Sequence, residues 1–157
     1  MKFIKISFYV LLGLALFLFL AFQFLIHQTK KNSPQARVLF EKKVNGNDLK
    51  IEVNYSRPFK KGRKIFGGLV PYDSVWRTGA NEATVFETNQ NLKIGGQVLQ
   101  AGKYTLWTIP GPASWSVIFN KKDYFWGING KRKASRDPKF DALRIEIPVE
   151  NQNLVKE

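Results

Sequence analysis

The 157-residue chain contains no cysteine, so a disulfide framework, a thiolate metal site and a cysteine nucleophile are all excluded. Histidine occurs once, at His27 beside an apolar run, where an interfacial side chain is the natural reading. A histidine-dependent triad or a histidine metal cluster within one chain is excluded with it, and no metal or other cofactor is expected. Acid is scarce as well: 12 Asp and Glu stand against 25 Lys and Arg, a formal net charge of +13. Such a field attracts anionic small molecules, lipid headgroups, acidic glycans or nucleic acid, and charge alone does not choose among them.

What is plentiful is large apolar side chains. The chain has 13 Phe, 5 Tyr and 4 Trp, far too many for a disordered polymer. Part of this content lies at the N-terminus, where no charged residue occurs from Ile6 to Ile26. As a helix at about 1.5 Å per residue this run spans about 30 Å, the thickness of a bilayer's hydrocarbon core. Lys2 and Lys5 form a positive start of signal-peptide type, but the run is longer than a signal peptide's apolar region and no Ala-x-Ala-like site follows it. Residues 1–29 are therefore expected to be a retained single-pass membrane anchor and residues 30–36 a tether. Residues 37–157 are expected to form one domain. Lys30, Lys31, Arg37, Lys42 and Lys43 on the far side of the run argue for a cytoplasmic domain under the positive-inside rule. The signal-like start argues for the opposite orientation, with the domain outside.

Within the domain, apolar and polar residues alternate at Leu49, Ile51, Val53 and Tyr55, next to the turn sequence Asn45-Gly46-Asn47-Asp48. Further strands are expected at 84–88, 92–94, 97–100, 103–109, 114–120 and 142–149, separated by turn signals such as Gly95-Gly96 and Pro110-Gly111-Pro112. Short strands at close spacing predict an all-β fold, an antiparallel β-sandwich. Pro71 to Thr78 is read as a helical turn, Trp107 and Trp115 as core residues, and the basic stretch 121–139 as a long loop that can suit anionic polymers or a membrane surface.

The densest segment reads Tyr55-Ser56-Arg57-Pro58, then Lys61-Gly62-Arg63-Lys64-Ile65-Phe66-Gly67-Gly68-Leu69-Val70-Pro71-Tyr72, then Val75-Trp76-Arg77-Thr78-Gly79-Ala80-Asn81-Glu82-Ala83-Thr84. It resembles the domain of unknown function 2911 family, and Ala101 to Leu106, Thr108 to Gly111, Trp115, Ile118 to Lys121 and Trp126-Gly127 continue the resemblance. The resemblance implies a β-rich domain, usually behind an export signal, with no established activity, and so favours an extracytoplasmic location. It also marks two departures. Asn129 to Arg136 is basic where such proteins often carry an acidic, tyrosine-containing stretch. Family members generally continue into further β segments past the strand at 142–149, so C-terminal strands are expected to be missing and a sheet edge to be open to strand-mediated self-association.

The candidate ligand-binding residues are Arg57, Arg63, Tyr72, Trp76, Arg77, Asn81 and Glu82, on loops rich in glycine and proline. Arginine forks over an aromatic floor suit a carboxylate, a phosphate or a sugar acid, and therefore an anionic small molecule or an envelope glycan. A lipid headgroup offers the same chemistry, whereas nucleic acid is disfavoured outside the cytoplasm. Two rival readings stand beside this binding module. In a hydrolase or lyase, Glu82 is the base and Arg77 stabilises developing charge. In a purely structural assembly module, Arg77 pairs with Glu82 to brace the loop, Trp76 fills the core, and the glycines meet backbone demands.

The anchor is checked by fractionation. Full-length chain should remain in the membrane fraction through alkaline extraction, whereas release of a shortened soluble species would make the apolar run a cleaved signal peptide.

Overall fold

The fold is described from a computed structural model of the chain, covering residues 2–150. It divides into two compact units, residues 1–32 and 33–157.

The first unit is one helix, α1 (Lys2–Asn32), without an acidic residue in its first turn and with Lys30 and Lys31 in its last. Its segment Lys5–Asn32 is long and apolar enough to cross a membrane, with a mean hydropathy of 2.5 in its most apolar window. Leu and Phe dominate it, and its large apolar side chains are exposed. The stretch read as a tether carries structure at both of its ends. The helix runs on to Asn32 and the first strand opens at Gln35, which leaves Ser33 and Pro34 between them.

The second unit is all-β and entirely antiparallel among its paired strands: β1 (Gln35–Val44), β2 (Asn47–Ser56), β3 (Thr84–Thr88), β4 (Leu92–Ile94), β5 (Gln97–Leu99), β6 (Gly102–Pro110), β7 (Ser114–Asn120) and β8 (Asp141–Pro148). Six strands form one sheet in the order β1-β2-β3-β6-β7-β8, and β4 and β5 form a second, two-stranded sheet. This is the β-sandwich expected, with one sheet much smaller than the other. The two tight hairpins follow from their turn residues. Asn45 and Gly46 have φ of 51° and 83°, Gly95 and Gly96 of 56° and 82°, the positive pair that a two-residue turn needs to match strand twist.

Each face of the large sheet has its own core. On one face Tyr104, Phe119 and Leu143 pack against Leu99 of the β4–β5 hairpin, with Phe86 edge-on to Phe119 at 5.1 Å. On the other, Trp107 and Ile118 are completely buried under Ala83, Val75, Tyr124 and Ala134, all supplied by the two long loops. Burying such side chains is worth about 1.5–3 kcal/mol each, so the loops are part of the core. Trp115, read as a core residue, is only half-buried and packs edge-on against Phe66 of the first long loop at 4.6 Å.

The segment 71–78 departs from the helical turn expected of it. It turns at Asp73, φ 56°, and then runs extended along β6. Beyond Thr84, β3 no longer covers β6, and the exposed edge is taken up by Trp76, which exchanges two hydrogen bonds with Thr108, at 2.7 and 3.0 Å. Unmet ladder groups on a half-buried strand are costly, and this bridge satisfies them. β1 and β8 form the two edges, and among the described residues β8 is paired along β7 only, with Gln97 Nε2 donating to the Arg144 carbonyl at 3.4 Å from the hairpin side. The residues beyond Glu150 lie outside the described part of the chain.

A register shift in the β7–β8 ladder at Phe119/Asn120 sets Asn120 opposite Asp141. The amide of Asn120 is fully buried and uses all of its capacity: Nδ2 donates to the Asp137 carbonyl and to Asp141 Oδ1, both at 2.8 Å. Its Oδ1 accepts from the Lys122 N–H at 3.0 Å and the Tyr124 hydroxyl at 3.2 Å. Replacing it by alanine strands several buried groups at about 1–3 kcal/mol each, partly relieved by water. Asn120→Ala should therefore lower the unfolding free energy by about 3 kcal/mol in denaturant titration, several times the loss from an exposed amide such as Asn47→Ala.

Candidate functional site

Arg77 follows Trp76, whose bridge to Thr108 fixes the backbone from which the arginine projects. Thr78, next in line, is a β-branched residue at φ 57°, a conformation that such residues rarely adopt. Its hydroxyl donates to Thr108 Oγ1 at 3.2 Å and its carbonyl accepts from Thr84 Oγ1 at 2.7 Å, which holds the turn. Strained backbone of this kind gathers at ligand clamps.

The guanidinium of Arg77 lies over the Trp76 ring, 4.6 Å from its centroid, and its aliphatic stem passes across Gly127. Gly127 is needed for that approach, because a Cβ there would stand 2.3 Å from Arg77 Cδ and 2.8 Å from its Cβ. Arg77 Nε is buried and has no hydrogen-bond partner among the described residues. Among the described residues the guanidinium enters no ion pair, and burial pushes its pKa below the ordinary value while leaving it a cation at neutral pH.

The second wall comes from the basic loop, which is more ordered than a solvated run. Gly127 N–H donates to the Asn81 carbonyl at 2.8 Å, and Ile128 and Ala134 form a bridge that makes 128–134 a miniature hairpin. Asn129 Oδ1 accepts from the Lys131 and Lys133 N–H groups at 3.0 and 3.2 Å, closing its turn. Arg136 forms a two-armed ion pair with Asp141, whose Oδ1 also meets Asn120. Between the walls lies a cleft of about 580 Å³, bounded by Val75, Trp76 and Arg77 on one side and Arg132, Lys133 and Arg136 on the other. Among the described residues no acid lines it.

The other predicted site residues go elsewhere. Glu82 accepts a hydrogen bond from Ser56 Oγ at 3.3 Å and lines a different cleft of about 540 Å³, with Arg37, Lys103 and Tyr124. The single locus expected for Arg77 and Glu82 does not form, because Thr78 and Asn81, at φ 57° and 58°, turn the chain twice between them. The Asn81 carbonyl joins the two long loops at Gly127. Arg63 folds back on the carbonyls of Phe59 and Lys60, at 2.6 and 3.0 Å, and braces its own loop. Tyr72 packs against Gly67, φ 70°, where a Cβ would lie 2.6 Å from the ring. Arg57 is exposed and lines neither cleft. Of the seven, Trp76 and Arg77 share the basic cleft, and Arg132, Lys133 and Arg136 join them unpredicted. The signal for these three was the basic run 131–136, inside the stretch 121–139 read as a long loop that can suit anionic polymers or a membrane surface.

Residues 33–157 match a family described as proteins of unknown function, DUF2911. The chain belongs to the DUF2911 family. No curated protein and no solved structure matches it. The family match begins where α1 ends, so it takes in the whole β unit and both walls of the cleft. The DUF2911 domain thus carries its cationic cleft on the two loops that roof one face of the sheet.

Substitution at Gly127 isolates the placement of Arg77. Gly127→Ala should displace the arginine stem and cost about 1–3 kcal/mol by overpacking. Arg77→Met keeps the apolar stem and removes a desolvated cation, so it should leave stability within about 1 kcal/mol of the parent or raise it. A loss of more than about 3 kcal/mol in Arg77→Met, read by denaturant unfolding, would make the arginine a brace.

Proposed function

We propose that this DUF2911 protein is a membrane-anchored, extracytoplasmic module that binds a small anion in the cleft between the loops carrying Arg77 and Arg132. The observation that carries this reading is the partly buried Arg77 guanidinium in the wall of this cleft, whose Nε–H has no partner among the described residues. A partly desolvated cation is a cost in the free protein that an incoming anion offsets. Arg132 and Lys133 add charge at the same cleft, while Trp76, Val75 and Ile128 supply apolar wall. A few placed polar groups in a mostly apolar concavity is the usual composition of a small-molecule site, and a volume of about 580 Å³ suits a ligand of sugar-acid or sugar-phosphate size. The ligand class is a carboxylate, phosphate or sugar acid, free or as part of an envelope glycan, because a guanidinium fork matches those oxygens.

Binding requires no chemistry of the protein. The rival with Glu82 as base and Arg77 as charge stabiliser needs both in one cleft, and they line two. A structural brace of the kind expected needs an acidic partner for Arg77, and among the described residues its charge meets the Trp76 ring and no carboxylate. The anchor reading draws on α1, which is long and apolar enough to cross a bilayer, and the outside orientation on the export that the family resemblance implies.

Thermal unfolding of the detergent-solubilised full chain tests the site. Inorganic phosphate and glucuronate should raise the melting temperature saturably, glucose should not, and the effect should vanish in Arg77→Met. Identical shifts in Arg77→Met, or none with any anion in the parent, would contradict the proposal.

A further inference from the structure

The first long loop carries Arg57, Lys60, Lys61, Arg63 and Lys64, and no acid occurs from Arg57 until Asp73. Three large apolar side chains of the same loop remain outside the fold: Phe59 is 52% exposed, Phe66 45% and Leu69 45%. They are neighbours in space, since all three line one apolar depression of about 340 Å³ together with Trp115, Lys60 and Arg63. This depression is distinct from the basic cleft, and Trp76 forms part of the wall of both.

The loop is built to hold these side chains out. Arg63 ties itself to the Phe59 and Lys60 carbonyls, the Leu69 N–H donates to the Lys64 carbonyl at 3.1 Å, and the Val70 N–H donates to that of Ile65 at 2.9 Å. Phe66 is steadied edge-on against Trp115. A fixed group of exposed aromatic and aliphatic side chains ringed by cations, without an acid, is complementary to an anionic lipid surface. The rings suit the boundary between headgroups and acyl chains, and the cations suit the lipid phosphates. A soluble partner would have to be found by diffusion, whereas a bilayer crossed by α1 is held close by covalent linkage, because two residues separate α1 from β1.

We infer that the Phe59–Leu69 face is a membrane-surface dock. Phe59, Phe66 and Leu69 enter the interface of an anionic bilayer, and Lys60, Lys61 and Lys64 engage its headgroups. This rests on α1 crossing the same bilayer, as proposed above, and is independent of what the basic cleft binds.

The absence of cysteine permits a clean test. Phe59→Cys, Leu69→Cys and, as a reference, Asn47→Cys each carry a nitroxide in the full chain, reconstituted in phosphatidylcholine nanodiscs with phosphatidylglycerol. The dock predicts that oxygen broadens the labels at 59 and 69 several-fold more, relative to a nickel chelate, than the label at 47. Adding Lys60→Glu, Lys61→Glu and Lys64→Glu should return both labels to the reference ratio. A chain retained in the disc with all labels at the aqueous ratio overturns the dock alone, as does immersion that charge reversal leaves unchanged. A chain that leaves the disc on alkaline washing overturns the anchor and the dock together.

Discussion

One buried amide organises the side of the sheet on which the basic cleft is found. Asn120 ends β7, and its four hydrogen bonds reach Lys122 and Tyr124 at the start of the second long loop and Asp137 and Asp141 at its end. An amide in this position fixes both stems of a loop at once, and the low dielectric around it makes every unmade bond expensive. Tyr124 extends the effect. Its hydroxyl accepts from the Asp137 N–H at 2.7 Å, its ring packs edge-on against Trp107 at 5.3 Å, and burial raises its pKa. Asp141 passes the constraint to Arg136, one of the residues lining the cleft.

With the loop held at both stems, its middle can be basic without collapsing or wandering. The small hairpin at 128–134 leans on the first loop through Gly127 and Asn81, and Gly127 gives Arg77 its path. Energetically, Arg77 is the exception among the described residues, whose other buried side-chain polar atoms are paired: its Nε is shut away from water with no described group to donate to. Stability is not gained by such an arrangement, and a strained Thr78 beside it adds to the cost. Groups held this way are what binding sites offer in advance of their ligand. The elsewhere exposed Arg37–Glu52 pair on β1 and β2 makes the contrast, since there the arginine's hydrogen bond draws the Glu52 carboxyl down to about 2 and both charges are met.

The fold was legible where local chemistry decides. Asn45-Gly46 and Gly95-Gly96 turn as their composition demands, and the alternation in β2 and the bounds of β3, β4 and β7 follow from apolar spacing. What the order of residues does not carry is direction across a turn. Arg77 and Glu82 are five positions apart with glycine between them, which suggests one locus. Two left-handed residues, Thr78 and Asn81, send them to separate clefts instead. Nor does a proline-led segment such as 71–78 announce that it will patch an uncovered strand edge, because that depends on where β3 stops relative to β6, a tertiary matter. The same holds for Lys131 to Arg136, where pairing through Asn129 and Asp141 turns a charge run into a wall.

The central claim is that the Arg77 guanidinium waits for an anion, and its buried Nε–H can report on it. In a proton–nitrogen correlation spectrum, the Arg77 Nε–H resonance, assigned by its loss in Arg77→Lys, should be present without ligand. On titration with inorganic phosphate it should move downfield and exchange more slowly with water, while Arg57 Nε–H stays where it was. An Arg77 resonance unmoved at saturating phosphate, or one that shifts no more than that of Arg57, would contradict the account.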